Sequence, residues 1–128
     1  MNGAVLYIDD DPNNILLVQR LCARKCPDVQ LSTAMTGRDG IRAAVDDQPA
    51  LILLDNRLPG TSGAQVLHQL AARPLTAAIP VVILSGDSSP VTARELRAAG
   101  AVNFLAKPFD IYQLLAVIGR YLPDRRQP

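Results

Sequence analysis

The stretch Ala4-Val5-Leu6-Tyr7-Ile8-Asp9-Asp10-Asp11-Pro12 decides the architecture. A short apolar run gives way abruptly to three acids and a proline. A continuous apolar run without polar alternation is the pattern of a strand buried on both faces, as in parallel sheets covered by helices. Pro12 suits a loop or the first turn of a helix, where its missing N–H leaves no bond unmade. From Asn13 or Asn14 onward the period changes. Ile15, Val18, Leu21 and Cys22 recur at helical spacing, with Gln19, Arg20 and Arg24 between them, and Pro27 closes the segment.

The same alternation continues along the chain. Val29–Ala34 reads as a second strand, and Thr36 as the N-cap of a helix that carries Ile41, Ala44 and Val45 and ends near Pro49. Leu51-Ile52-Leu53-Leu54 is a third apolar run that ends in an acid, Asp55. The segment Pro59-Gly60-Thr61-Ser62-Gly63 is a loop signal, followed by a helix with Val66, Leu67, Leu70 and Ala71. Pro80-Val81-Val82-Ile83-Leu84 is a fourth strand that runs into Ser85-Gly86-Asp87. Ser88–Ala99 is helical but only weakly amphipathic, and Gly100 ends it. Val102–Ala106 is a fifth strand, ending in Lys107-Pro108. The last helix carries Ile111, Leu114, Leu115, Ile118 and Leu122, and Pro123 stops it. Five strands alternating with five helices predict an α/β fold, a flavodoxin-like, doubly wound, five-stranded parallel sheet. Right-handed crossovers favour the strand order 2-1-3-4-5. Residues 1–123 are expected to form one domain, with 124–128 as a polar tail.

Composition narrows the function classes. The 128 residues are 48% hydrophobic and 20% charged, with a formal net charge of +1. That is enough apolar material for a core. The near-neutral balance, with basic residues scattered, gives no footprint for direct nucleic-acid binding. No apolar stretch approaches a membrane span, and the start lacks the basic and long apolar regions of a signal peptide, so a cytoplasmic location is expected. Cys22 and Cys26 have no second pair to complete a zinc site and read as reduced cysteines near a helix face. His68, Arg94, Arg97 and Arg120 read as surface positions on helices.

In a doubly wound sheet, ligands bind beyond the carboxyl ends of the strands, near the switch in strand order. The residues that follow strands 1, 3, 4 and 5 are Asp9-Asp10, Asp55, Ser85 and Lys107, and the topology brings them to that one edge. Three carboxylates in a crevice repel one another, and a hard divalent cation resolves this. Mg²⁺ takes octahedral oxygen ligands and typically uses one or two carboxylates plus a phosphate oxygen. Asp10, Asp55 and a nearby backbone carbonyl have that character, and Asp9 could hold a coordinated water. A carboxylate can also attack phosphorus and form an aspartyl phosphate. Asp55, alone at the end of an apolar strand and before a loop, is the candidate. Lys107 and Ser85, with backbone N–H groups beside it such as Gly86, would take the remaining phosphoryl oxygens.

Together these segments resemble the receiver domains of two-component signalling, over nearly the whole chain. The carriers are Val5-Leu6-Tyr7-Ile8-Asp9-Asp10-Asp11-Pro12, Leu53-Leu54-Asp55 with Leu58-Pro59-Gly60 and Gly63, Val82-Ile83-Leu84-Ser85-Gly86, and Phe104-Leu105-Ala106-Lys107-Pro108-Phe109. The resemblance implies that Asp55 is the phosphoacceptor and that Asp9 and Asp10 are the acidic Mg²⁺ pair. It further implies that Arg57 lends a backbone carbonyl to the metal, that Ser85 is the hydroxyl that moves toward the phosphoryl group, and that Phe104 is the aromatic switch position. A phosphohistidine on a sensor kinase or phosphotransfer protein would be the donor. An output partner or fused domain would read the helix 4–strand 5–helix 5 face, through which a homodimer could also form. Arg57 and Asp87, each two residues past a site residue, are expected to pair across the entrance and slow the attack of water.

Other functions fit less well. A haloacid-dehalogenase-like phosphatase wants a second Asp where this chain has Arg57. A flavin-binding protein wants a phosphate loop where Asp9–Asp11 would repel phosphate. A receiver-like module that works by partner binding alone would not need the full set of site residues. About five residues follow Pro123, too few for a helix-turn-helix. The chain therefore reads equally as a stand-alone regulator and as a receiver cut from a longer protein.

Overall fold

The computed structural model describes residues 3–87 and 89–122. Five parallel strands form one sheet: β1 (Gly3–Ile8), β2 (Val29–Ala34), β3 (Leu51–Asp55), β4 (Val81–Ser85) and β5 (Asn103–Ala106). Their order across the sheet is β2-β1-β3-β4-β5, as the crossover argument predicts. Five helices connect them: α1 (Pro12–Lys25), α2 (Gly37–Asp47), α3 (Gly63–Ala71), α4 (Pro90–Ala98) and α5 (Ile111–Tyr121). The expected tail 124–128 and the stop at Pro123 lie outside the described residues, as does Ser88.

Alternation along each strand divides the core in two, because successive side chains point to opposite faces. Leu6, Ile8, Ile52, Leu54 and Ile83 pack against α2, α3 and α4. Val5, Tyr7, Leu51, Leu53 and Leu84 pack against α1 and α5. All four leucine and isoleucine side chains of β3 are completely buried. At roughly 1.5–3 kcal/mol per fully buried side chain, this strand is a principal anchor of the fold.

Local capping fixes where the helices begin. Asp11 accepts the Asn13 N–H at 2.9 Å and caps α1, with Pro12 at the first position. The third acid of the triplet is thereby committed to the helix. Thr36 caps α2, and Ser62 and Asp110 form capping boxes with Gln65 and Gln113 on α3 and α5. On α2, Gly40 lies against β1, and a Cβ there would fall 2.4 Å from Ile8 Cδ1.

Several boundaries differ from the sequence reading. The expected loop after β3 contains a miniature antiparallel ribbon, Arg57–Leu58 with Thr61–Ser62, turned at Gly60 with φ +72°. Two-residue strands are too short to show a period. α4 begins at Pro90, because Ser89 is its N-cap and accepts the Thr92 N–H. β5 begins at Asn103, and Val102 is exposed. α1 stops at Lys25, capped by Cys26 and ahead of Pro27, and Cys22 and Cys26 are free and buried. α2 stops at Asp47, where Gln48 takes a left-handed conformation with φ 45°.

Candidate phosphoacceptor and metal site

The strand register builds the site. Ile8 lies beside Leu54, Asp55 beside Leu84, and Ser85 beside Ala106. The next residues, Asp9, Asn56 and Lys107, therefore leave the sheet at one edge. Asp9 N–H donates to Ala34 O at 3.0 Å, Asn56 N–H to Leu84 O at 3.1 Å, and Lys107 N–H to Ser85 O at 2.7 Å. These bonds carry the ladders one residue past the strands and hold the site residues on rigid elements.

Asp9, Asp10 and Asp55 each bring a carboxylate oxygen within 4.8 Å of the others. Asp9 and Asp55 are buried and Asp10 is exposed. Lys107 Nζ lies 3.3 Å from Asp55 Oδ2 and 3.7 Å from Asp9 Oδ2. One ammonium thus pairs with two carboxylates of a cluster of three. Two like charges at that separation repel by about 3 kcal/mol at an effective dielectric constant of about 20.

The two buried acids share this cost unequally. Burial pushes Asp9 toward the protonated form, but hydrogen bonds from the Tyr7 hydroxyl and Asp11 N–H, the Lys107 charge and the Asn14 amide outweigh it, and its pKa falls below 3.8. Asp55 moves the other way. Burial raises it above 3.8, the negative Asp9 adds to the rise, and the Arg57 N–H and Lys107 only partly offset these. The Arg57 N–H donates to Asp55 Oδ1 at 3.2 Å. Asp9 is thus the fixed charge of the pair and Asp55 the strained one.

This donor set fits a hard divalent cation. It offers oxygen atoms only, gathered at one point, with more negative charge than Lys107 balances. Asp9, Asp10 and Asp55, expected together from their strand ends, do meet with Lys107. Ser85 is buried at the same edge, but its hydroxyl is turned to the following loop. It accepts the Asp87 N–H at 3.0 Å and lies 3.3 Å from Asp87 O. Gly86 and Asp87 are exposed. Phe104 is half-buried against the core that backs α2–α4.

Arg57 and Asp87 make no ion pair with each other, whereas Lys107 pairs with both Asp9 and Asp55. Asp87 instead accepts the Ser89 N–H at 2.9 Å and the Thr92 hydroxyl at 2.8 Å, and these bonds, more than the Arg57 charge, lower its pKa. His68, Arg94, Arg97 and Arg120 are exposed, and Arg120 lies over the Tyr121 ring.

The sequence reading passed over Tyr7 and Asn14. Both donate to Asp9 Oδ2, Asn14 Nδ2 at 3.2 Å. Alternation carried the signal for Tyr7, because a residue two before Asp9 on a strand points to the same face. Within an apolar run the ring reads as core, which it also is.

A family model described as the response regulator receiver domain matches residues 5–119. The chain belongs to this family. It is a phosphoacceptor switch module of two-component signalling. It is 30% identical over 118 residues to Protein PilH of Pseudomonas aeruginosa, covering 92% of this chain and 96% of the relative. It is 34% identical over 116 residues to the response regulator PleD of Caulobacter vibrioides, covering 91% of this chain but 25% of PleD. The receiver domain thus spans about a quarter of that longer relative. Among solved structures, the receiver domain of a Pseudomonas aeruginosa sensor histidine kinase, with a magnesium ion coordinated in its active-site cleft, superposes with a TM-score of 0.84. The two are 21% identical, and the match covers 94% of this chain and 98% of that one. No helix among the described residues is long and apolar enough to cross a membrane.

Proposed function

We propose that Asp55 accepts the phosphoryl group and that Asp9, Asp10, Asp55 and the Arg57 backbone carbonyl hold Mg²⁺. The observation that carries this is the meeting of three carboxylates within 4.8 Å of one another, with Lys107 shared between Asp9 and Asp55. The related receiver solved with magnesium in its cleft supports the choice of ion. When bound, the ion would balance the excess negative charge and polarise a phosphoryl oxygen.

The chain's own residues do the rest. An Asp55 carboxylate oxygen attacks phosphorus in line. The P–N bond of a donor phosphohistidine breaks, or the P–O bond of an acyl phosphate, and the leaving group takes up a proton. Lys107, already 3.3 Å from Asp55, neutralises a second phosphoryl oxygen as a mobile point charge. Water later attacks the phosphorus, releasing inorganic phosphate and restoring Asp55. The chain's chemistry is limited to these two steps on itself.

The switch is read at the other side of the edge. Ser85 is to leave its bonds with Asp87 and move with Gly86 toward the new negative charge, and Phe104 to fill the space behind it. Helix α4 suits a shifting element, since Leu96 is its only fully buried side chain. Val91, Val102 and Tyr112 are large exposed apolar residues on or beside α4, β5 and α5, and they suit this face to an output partner, a fused domain or a second copy. The donor is a histidine kinase or histidine phosphotransfer protein, and the setting is the cytoplasm, which suits the free, buried Cys22 and Cys26.

The test is intact mass after incubation with acetyl phosphate. A gain of one phosphoryl group is expected with Mg²⁺, and none without Mg²⁺ or in Asp55→Asn. An equal gain in Asp55→Asn would move the acceptor elsewhere.

A further inference from the structure

The hydroxyl of Tyr7 is a polar group at the end of a completely buried ring, and its partner is the carboxylate of Asp9. We propose that Tyr7 is a positioning residue for the metal site, holding Asp9 in the one orientation that serves the cation and linking the site to the core between α1 and α5. The inference rests on the Mg²⁺ reading above and extends it to a residue in the hydrophobic interior.

The acceptor inventory of Asp9 supports it. A carboxylate offers about four lone-pair directions. Oδ1 takes the Asp11 N–H at 2.9 Å. Oδ2 takes the Tyr7 hydroxyl and the Asn14 amide, the latter at 3.2 Å, and faces Lys107 at 3.7 Å. A side chain so occupied, and with no solvent exposure, is held in one rotamer. Little acceptor capacity is left, which suits Asp9 to hold metal-bound water and leaves direct ligation to Asp10 and Asp55. The Tyr7 hydroxyl donates to the carboxylate from the end of its buried ring. Tyr7 thus orients the group that orients the metal-bound water, one step further out than the partners of direct ligands, so its loss is expected at the low end of their effect, about tenfold.

Tyr7 does this from inside the core. Its ring shares a cluster with Val18 and Cys22 of α1 and with Leu114 and Ile118 of α5. Phenylalanine keeps that packing and removes only the hydroxyl, so Tyr7→Phe isolates the hydrogen bond from the ring.

The experiment is a calorimetric titration of the full chain with Mg²⁺ alone, beside thermal melts in metal-free buffer. Tyr7→Phe should weaken Mg²⁺ binding about tenfold. An unchanged Kd, even with a lowered melting temperature, would reduce Tyr7 to a packing residue and overturn the proposal. Because a folding failure would hide this, Tyr112→Phe/Tyr121→Phe leaves Tyr7 as the sole tyrosine. Mg²⁺ should then produce a tyrosine ultraviolet difference spectrum that saturates with the calorimetric Kd. A flat spectrum would overturn the proposal without any change at position 7. A wild type that binds no Mg²⁺ removes the underlying metal reading and this one with it. A wild type that binds Mg²⁺ while Tyr7→Phe binds equally removes only the role of Tyr7.

Discussion

At the end of β1, Asp9 accepts hydrogen bonds from Tyr7, Asp11 and Asn14 and has no solvent exposure. At the end of β4, the Ser85 hydroxyl bonds only within its own loop, and the two residues after it are exposed. The same contrast shows in the glycines near each strand. Gly40 of α2 is pressed onto Ile8 of β1, whereas Gly86 after β4 has nothing within 4 Å of where a Cβ would stand. One half of the site is fixed before any ligand arrives, and the other is free to answer. The two halves suit two demands. Gathering like charges around a cation requires groups held in place beforehand. A response requires an element whose native contacts are few enough to exchange.

The largest effect expected from this contrast lies in packing. Gly40→Ala places a methyl 2.4 Å from Ile8 Cδ1 and 2.8 Å from its Cγ1, so the whole Ile8 side chain must move within a filled core. Overpacking of this kind costs about 1–3 kcal/mol, offset by up to about 1 kcal/mol of helix propensity. Gly86→Ala should change stability by less than about 0.5 kcal/mol. Urea denaturation of both variants checks the pair. Equal midpoints would erase the distinction between a packed and an open half.

The second effect is electrostatic and has the opposite sign. In magnesium-free buffer, Asp55→Asn should stabilise the protein, because it removes a buried charge that burial and Asp9 both oppose. The sign of the gain follows from the raised folded-state value, because the unfolded chain ionises Asp55 without that burden. The direction with pH follows from the raised folded-state value. The penalty for ionised Asp55 is fully present above that value. It fades as pH falls through that value and is gone only below the ordinary 3.8, where the carboxyl is protonated in both states. The advantage of Asp55→Asn should therefore shrink on acidification, and also on adding Mg²⁺, which stabilises the wild type. Melts across pH in a chelating buffer read this directly. A variant no more stable than wild type at neutral pH would mean that Lys107 already neutralises the cluster.

The strand ends were the most legible part of the sequence. Uninterrupted apolar runs ending in Asp9, Asp55, Ser85 and Lys107 carry strand, burial and strand end in one signal, so the sheet order and the meeting of those residues follow. What escaped depends on details below any period. Asp9, Asp10 and Asp11 are chemically alike in sequence. Only the turn into α1, where Asp11 is extended with φ −92° and caps the helix, separates a buried acid, an exposed one and a cap. Tyr7 contributes to the core and to the site at once, and an apolar run shows only the first role. The start of α4 was blurred because a helix with Leu96 as its only buried residue has a faint apolar stripe, although Ser89-Pro90 marks its cap. The pairing of Arg57 with Asp87, inferred from matching positions after two strands, overlooked that Asp87 has nearer partners in Ser89 and Thr92.

That last point sets the smallest expected effect, on the lifetime of the aspartyl phosphate. In this structure Asp87 secures the loop that carries Ser85, while Arg57 reaches it only through charge. If the two instead close together over the phosphoryl group, Arg57→Ala and Asp87→Ala should each shorten its lifetime, by similar factors of about threefold or less, and the double variant should be no worse than either single one. If Asp87 acts only by holding its loop, Asp87→Ala should alter the lifetime while Arg57→Ala leaves it unchanged. Loss of phosphate from the loaded wild type and the three variants separates these arms. Two unchanged single variants would remove both residues from the control of water. The open half of the site would then be a switch alone, with no part in timing its own reset.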